Sequence, residues 1–295
     1  MKHTLAELML LISVAFWGSS FALTKPLLDS MGVFTFMASR FVVGGVILVL
    51  ALLILGKFKP DKQQIKGGII TGVLLFLAFI FHTYGLKYTT VAKNAFIVGS
   101  NVIFVPIILT LIMKKSQSKI VWISTFIALI GLALITLDGA QGGLNIGDLI
   151  TVIGTIIVAF YILRVEAYVK EGNPLNIATI QVLTVGLLSL IPAFILETPI
   201  ADLSIQALTP LMIRNLLILS IGCTSIAYLL ANYAQSIVSA SRTALLYVFE
   251  PLFGAFLGWL LLGEVVGIQG IIGALLITFA TIMPQFTKKN HEILD

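Results

Sequence analysis

The chain has 295 residues, of which 59% are hydrophobic and only 11% charged, with a mean hydropathy of +1.09. A soluble domain could not cover that much apolar surface, so the chain is read as embedded in a bilayer. The formal net charge of +5 resides in short polar connections, which argues against nucleic acid as a partner, and the single cysteine, Cys223, excludes an intrachain disulfide or a cysteine-based metal or redox motif.

Crossing a hydrocarbon core of roughly 30 Å takes about 20 apolar residues. In chain order such runs are Ala6–Thr24, Val33–Leu55, Gly67–Leu86, Ala95–Met113, Ile120–Leu137, Ile146–Leu163, Ile177–Leu196, Leu211–Tyr233, Ala244–Leu262 and Val265–Phe286. The first could be mistaken for a signal peptide, but it is long, ends in Lys25-Pro26 and recurs later in the chain, so no cleavage is expected. An even number of spans puts both termini on one side. Lys57–Lys66, Lys114–Lys119, Lys170, Arg242, Lys288 and Lys289 then share that side, while Asp29, the Asp138–Gly143 turn, Asp148, Glu197 and Glu264 fall on the other. The basic excess predicts a multi-pass protein of the plasma (inner) membrane with both termini cytoplasmic.

The second half can be laid on the first. From Tyr84 the chain reads YGLKYTTVAKNAFIVGSNVIF and from Tyr233 YAQSIVSASRTALLYVFEPLF, which places Lys93 on Arg242, Ala95 on Ala244, Asn101 on Glu250 and Phe104 on Phe253. At a slightly different offset AEL from Ala6 falls on GDL from Gly147, and Arg40 on Gln181. With five spans in each half, the copies must lie in opposite orientations. The expected fold is an all-α membrane protein of ten transmembrane helices in two inverted five-helix repeats, 1–140 and 141–295. Such repeats suit alternating access, with a substrate site near the midplane.

At WGSSF from Trp17, Arg40 in SRF, GLKYTTVAKNAF from Gly85, GDL from Gly147 and SASRTALLYVFEPLFGAFLGWLLLGE from Ser239, the sequence resembles the EamA family of the drug/metabolite transporter superfamily. The resemblance covers essentially the whole chain. It implies ten helices in two inverted repeats and secondary transport of small metabolites, often export of amino acids or related compounds. The chain departs from the family pattern at Val158, where a tryptophan is usual, and at Pro106, displaced from the position matching Pro251.

Several residues are candidates for substrate binding or coupling. Glu250 is a carboxylate near the middle of the ninth span, where a charge costs on the order of 3 kcal/mol on insertion scales. It either carries a proton or cationic substrate through the cycle or ties neighbouring helices together. Arg40 either snorkels outward or serves as counter-charge to a substrate carboxylate or to Glu250. His82 is a proton relay or an interhelical hydrogen-bond donor. Lys93 and Arg242, at matching positions on opposite faces, bind helix-end carbonyls or act as gate charges. Trp17, Ser19, Ser20, Asn94, Asn101, Tyr161, Gln181, Asn232 and Tyr247 together suit the lining of a site for an amphipathic solute, and singly suit bonding between helices.

The chain lacks HExxH, P-loop and serine-hydrolase signatures, so neither an intramembrane enzyme nor ATP as driver is favoured, and no metal or cofactor is expected. The reading is a secondary carrier of a small-molecule substrate in the lipid bilayer, with protons as candidate coupling ions and a monomer as the expected state. Export is preferred, with uptake of an amine or amino acid as the alternative.

Overall fold

In a bilayer core every backbone N–H and C=O must find its partner within the protein, which leaves helices as the simplest way across. The computed structural model describes residues 2–89, 91–136, 143–203, 208–262 and 267–291, and all regular structure among them is helical. The first helices are α1 (Lys2–Leu28), α2 (Val33–Ile54), α3 (Lys62–Tyr88), α4 (Val91–Gly99) and α5 (Asn101–Ile107), the last running into a π-helical segment, Ile108–Ile112. Next come α6 (Lys119–Thr136), α7 (Ile146–Glu171), α8 (Pro174–Leu196) and the short α9 (Pro199–Asp202). A second π-helical segment, Leu219–Ile226, joins α10 (Pro210–Ile218) to α11 (Ala227–Gln235), and α12 (Ala240–Tyr247), α13 (Phe249–Leu262) and α14 (Ile268–His291) are the last helices among the described residues.

Among the described residues, seven stretches are long and apolar enough to cross a membrane: Val33–Ile54, Lys62–Tyr88, Lys93–Ile112, Lys119–Thr136, Ile146–Glu171, Pro174–Leu196 and Pro210–Gln235. The first, ninth and tenth expected spans fall on α1, on α12 with α13, and on α14. Most of the Asp138–Gly143 turn lies outside the described residues, as does Glu264.

Local sequence explains where helices start and stop. Asn173 and Thr209 accept hydrogen bonds from Leu175 N and Met212 N, each just before a proline at the first helical position of α8 or α10. At α7, Asn145 Oδ1 accepts from Asp148 N while Asp148 Oδ2 accepts from Asn145 N, both at 3.0 Å, a reciprocal capping box. α2 ends at Gly56, whose φ of +65° is the left-handed conformation a glycine adopts without strain.

The chain forms two compact units, Met1–Leu77 with Arg164–Val238 and Ala78–Leu163 with Ser239–Asp295. Each takes helices from both of the expected repeats, and α3 and α7 each run from one unit into the other. In the first unit α2 packs along α8, α1 along α11, and α2 against Leu219–Ile226. Glycines permit the approach: a Cβ on Gly186 would stand 2.7 Å from Val42 N, and one on Gly72 2.8 Å from the Gln181 carbonyl. In the second unit α6 packs along α14, α4 against α13 and α5 against α12, around a core of Val102, Ala128, Leu132, Leu245, Val248, Ile277 and Ala280.

One contact in the first unit was not foreseen. Glu197, just past α8, accepts from Phe34 N at 3.0 Å, Thr35 N at 2.7 Å and Thr35 Oγ1 at 2.8 Å, capping α2 with a carboxylate far away in sequence. Gly32 makes room for it, since a Cβ there would stand 2.1 Å from Glu197 Cδ. Gly32→Ala is therefore expected to expel the carboxylate and cost about 1–2 kcal/mol. Thermal melting should show the loss in the native background and almost none in Glu197→Ala, where the cap is already gone; equal losses in both would refute the steric account.

Candidate functional site

In the first unit the π-helical segment Leu219–Ile226 gathers the polar residues. A π turn holds one more residue than an α turn and disturbs the regular pairing of backbone groups, which is why such segments frequently sit at functional sites. The Cys223 carbonyl accepts from the Trp17 indole N–H at 3.0 Å and from the Arg40 guanidinium at 3.2 Å. Arg40 also donates through Nε to Thr224 Oγ1 at 2.7 Å, and its guanidinium carbon lies 5.4 Å from the centre of the Phe41 ring. With 3% of its surface exposed, Arg40 does not snorkel. Its charge is held inside the unit by a hydroxyl, a carbonyl and an aromatic face. Tyr228 joins the group, its ring 5.2 Å from that of Trp17 and 6.1 Å from that of Phe41.

The remaining first-unit candidates hold the scaffold in this structure. Ser19 and Ser20 donate to the carbonyls of Phe16 and Trp17, one turn back, each at 2.7 Å, and Asn232 Nδ2 donates to the Tyr228 carbonyl at 2.9 Å. Asn232 Oδ1 has no hydrogen-bond partner among the described residues. Gln181 is fully buried on α8, in the stretch that meets Gly72.

In the second unit two helical spans are interrupted. The fourth breaks at Ser100, between α4 and α5, and the ninth at Val248, between α12 and α13. Asn101 is the first residue of α5, and its Nδ2 donates to the Val98 carbonyl at 3.0 Å, while Oδ1 finds no partner among the described residues. Glu250 lies in the first turn of α13, so the apolar run that places it mid-span also conceals a helix start beneath it. A carboxylate there meets the positive end of the peptide dipoles of α13. Tyr161 and Tyr247 are both buried in this unit.

His82 meets α7 closely: its Nε2 is 3.4 Å from Thr155 Oγ1, and a Cβ on Gly154 would stand 2.5 Å from the ring. Asn94 donates to the His82 carbonyl at 3.2 Å and to Thr151 Oγ1 at 3.0 Å, tying α3, α4 and α7 together. Next to this group Lys93 donates to the Gly143 carbonyl at 2.8 Å and approaches Asp148 Oδ2 at 3.8 Å. Thr89 Oγ1 donates to the same carboxylate. Arg242 donates to the Thr281 carbonyl of α14, within the turn before Pro284. Both cations thus bind carbonyls, and Lys93 an acid as well.

Sequence reasoning passed over Thr224, the Cys223 carbonyl, Thr89 and Glu197. The GCTS tetrapeptide at Gly222–Ser225, small and polar inside an apolar span, was the available signal for the first two.

Residues 4–137 and, again, 145–283 match the EamA-like transporter family. A protein named as an uncharacterized transporter from Archaeoglobus fulgidus is 28% identical over 96% of this chain and 86% of its own length. The uncharacterized transporter YyaM of Bacillus subtilis is 26% identical, with both chains covered in full. A protein of Chlamydia muridarum named as an S-adenosylmethionine/S-adenosylhomocysteine transporter is 25% identical over 88% of this chain and 85% of its own. A protein of known crystal structure superposes with a TM-score of 0.81 at 15% identity, covering 94% of this chain and 97% of the other, a likeness of fold.

Proposed function

The chain belongs to the EamA-like transporter family, and we propose that within it this protein is a secondary active carrier exporting a small amphipathic metabolite of the amino-acid class. The observation that carries the substrate class is the convergence of Arg40 and Trp17 on one carbonyl, which sets a fixed cation beside aromatic faces at membrane depth. Such a pair matches a solute with a carboxylate at one end and an apolar or aromatic body at the other. The relative named as an S-adenosylmethionine/S-adenosylhomocysteine transporter supports the class, since both of those compounds end in an amino acid. Ten helices in two inverted repeats, 1–140 and 141–295, would supply the alternating access, and the twofold match of the family along the chain supports that reading.

The test is counterflow in proteoliposomes without ATP, using radiolabelled amino acids and S-adenosylmethionine, preceded by a thermal-shift screen of the same compounds. Saturable exchange of a carboxylate-bearing solute is the expected result. No exchange of any of these compounds by a folded protein would overturn the substrate class.

Glu250 is proposed as the coupling residue. In Glu250→Gln, accumulation driven by an ion gradient should fall to background while exchange at equilibrium persists; gradient-driven uptake by a folded variant would return Glu250 to a structural role and leave His82 as the next candidate. For orientation, single cysteines at Ser116 and Leu144, both exposed, should label from opposite sides with an impermeant maleimide once Cys223 is replaced by serine. Labelling of both from one side would overturn the cytoplasmic placement of the termini.

A further inference from the structure

We infer that the connection from α2 to α3 is a seat for one anionic phospholipid, whose headgroup is held by Lys57, Lys59, Lys62 and Lys66 while its acyl chains lie on the apolar residues beside them. Such a seat requires only that the chain is embedded in a bilayer; neither the substrate nor the direction of transport enters.

The backbone fixes where the lysines start. α2 closes on Gly56 with two reversed hydrogen bonds, from Gly56 N to the Leu53 carbonyl at 2.9 Å and from Lys57 N to the Leu52 carbonyl at 2.8 Å, which pins Lys57 to the last turn of α2. Lys62 opens α3, and Lys62, Ile65, Lys66 and Ile69 follow at spacings that share one helix face. A different side of α3 meets α8: Gln64 Oε1 accepts from Asn176 Nδ2 at 2.8 Å, and a Cβ on Gly68 would stand 2.5 Å from Ile180 Cβ. The lysine face is left clear, and the four lysines, Ile65 and Ile69 are all exposed. So are Leu50, Leu53 and Ile54 at the end of α2.

The charge of this face is unanswered within the protein. Asp61 accepts from Gln64 N at 2.8 Å and from Gln64 Nε2 at 2.7 Å, capping α3, and Glu171 accepts from Gln63 Nε2 at 2.7 Å. Among the described residues no carboxylate comes within ion-pair distance of any of the four lysines. Clustered lysines next to a membrane-spanning helix attract anionic headgroups. The order of the residues favours a lipid over a dissolved anion. Along α3 the ammonium groups of Lys62 and Lys66 come first and Ile69 follows about 10 Å of rise after Lys62, while α2 ends in exposed aliphatic side chains just before Lys57. Charged and apolar surface thus succeed one another as a headgroup and its chains do, and the lysine stems can lie along the boundary. A basic excess that only orients the chain needs charge on one side of the membrane, not lysines and isoleucines on a common face.

The experiment uses the purified full chain in detergent micelles, with dioleoylphosphatidylglycerol, dioleoylphosphatidylcholine or glycerol 3-phosphate added. Native mass spectrometry counts the retained lipid, and melting follows its effect. Phosphatidylglycerol should raise the melting temperature saturably and leave one lipid bound, while phosphatidylcholine and glycerol 3-phosphate should do neither. In the double variant Lys62→Ala with Lys66→Ala the half-saturating concentration of phosphatidylglycerol should rise by about tenfold or more, as expected for two lysines lost at a charged surface. Lys62→Arg with Lys66→Arg, which keeps both charges, should bind as the native chain does. Melting in phosphatidylcholine is the folding control. Lys114→Ala with Lys115→Ala removes the same charge from an exposed connection of the second unit and should leave binding unchanged. Equal weakening by the two alanine pairs would show a diffuse attraction and overturn the seat. Displacement of the lipid by glycerol 3-phosphate would assign a free anion there, and equal effects of the two lipids would remove the charge recognition; either result overturns the proposal. Since no transported solute enters these measurements, their failure would leave the carrier reading standing, and failed solute exchange would leave the lipid seat standing.

Discussion

Gly273→Leu is expected to give a chain that no longer reaches a stable folded state in detergent, and Gly131→Leu the same. α6 and α14 approach backbone to backbone: a Cβ on Gly273 would stand 2.5 Å from the Gly131 carbonyl oxygen, and one on Gly131 2.7 Å from that of Gly273. A side-chain neighbour could rotate away, but a helix carbonyl cannot. The helices would therefore have to separate along the face that buries Ala128, Leu132, Ile277 and Ala280, all 0% exposed. Overpacking alone costs about 1–3 kcal/mol for the small substitution, alanine, and leucine adds the loss of that shared face. Lipid offers no compensation, because apolar side chains gain little by moving from protein to acyl chain, so close packing is the main attraction between these helices. Gly143→Ala is the control, since a Cβ there meets open space. Size-exclusion profiles and melting of the three variants decide the matter; a monodisperse Gly273→Leu protein with native melting would show that the helices can part without loss.

What the sequence made legible follows from what the bilayer demands. Long apolar runs mark helices because no other local structure satisfies the backbone in lipid, so the seven stretches that meet the length and apolarity requirement all fall on expected spans. The interruptions at Ser100 and Val248 went unread although each has a local signal: the small, polar run Gly99-Ser100-Asn101 at the first, and Glu250-Pro251 in the first turn of α13 just after the second. The coincidence of Asn101 with Glu250 between the repeats pointed to the same two places. Contacts distant in sequence were the other blind area. Arg40 lies 184 residues from Thr224, and Glu197 is 162 residues from Thr35, so no periodicity could pair them. The capping box at Asn145 and Asp148 is local, and a reading of helix starts could have found it.

Arg40→Lys is expected to fold and to lose most transport of carboxylate-bearing solutes. The native guanidinium spans two acceptors at once, Thr224 Oγ1 through Nε and the Cys223 carbonyl through a terminal nitrogen, and that fork fixes its plane. An ammonium keeps the charge but has no fixed plane with which to face a carboxylate. Thr224→Val removes the first acceptor and leaves the buried Nε–H without it, at a cost of about 1.5–3 kcal/mol for a bond to a charged group. If Thr224 acts by aiming Arg40, its loss should lower transport in the native background and change nothing further in Arg40→Lys, a non-additivity that a double-mutant cycle reads directly. The comparison that separates recognition from scaffolding is between an amino acid and its amide. A recognising Arg40 predicts that lysine substitution depresses transport of the acid far more than that of the amide, by tenfold or more if about 1.4 kcal/mol of the interaction is lost. A scaffolding Arg40 predicts that both fall together, because a deformed helix pair does not distinguish the two solutes. An unchanged acid-to-amide ratio in a folded Arg40→Lys protein would remove Arg40 from the substrate and leave it as the strut that joins α2 to the π-helical turn.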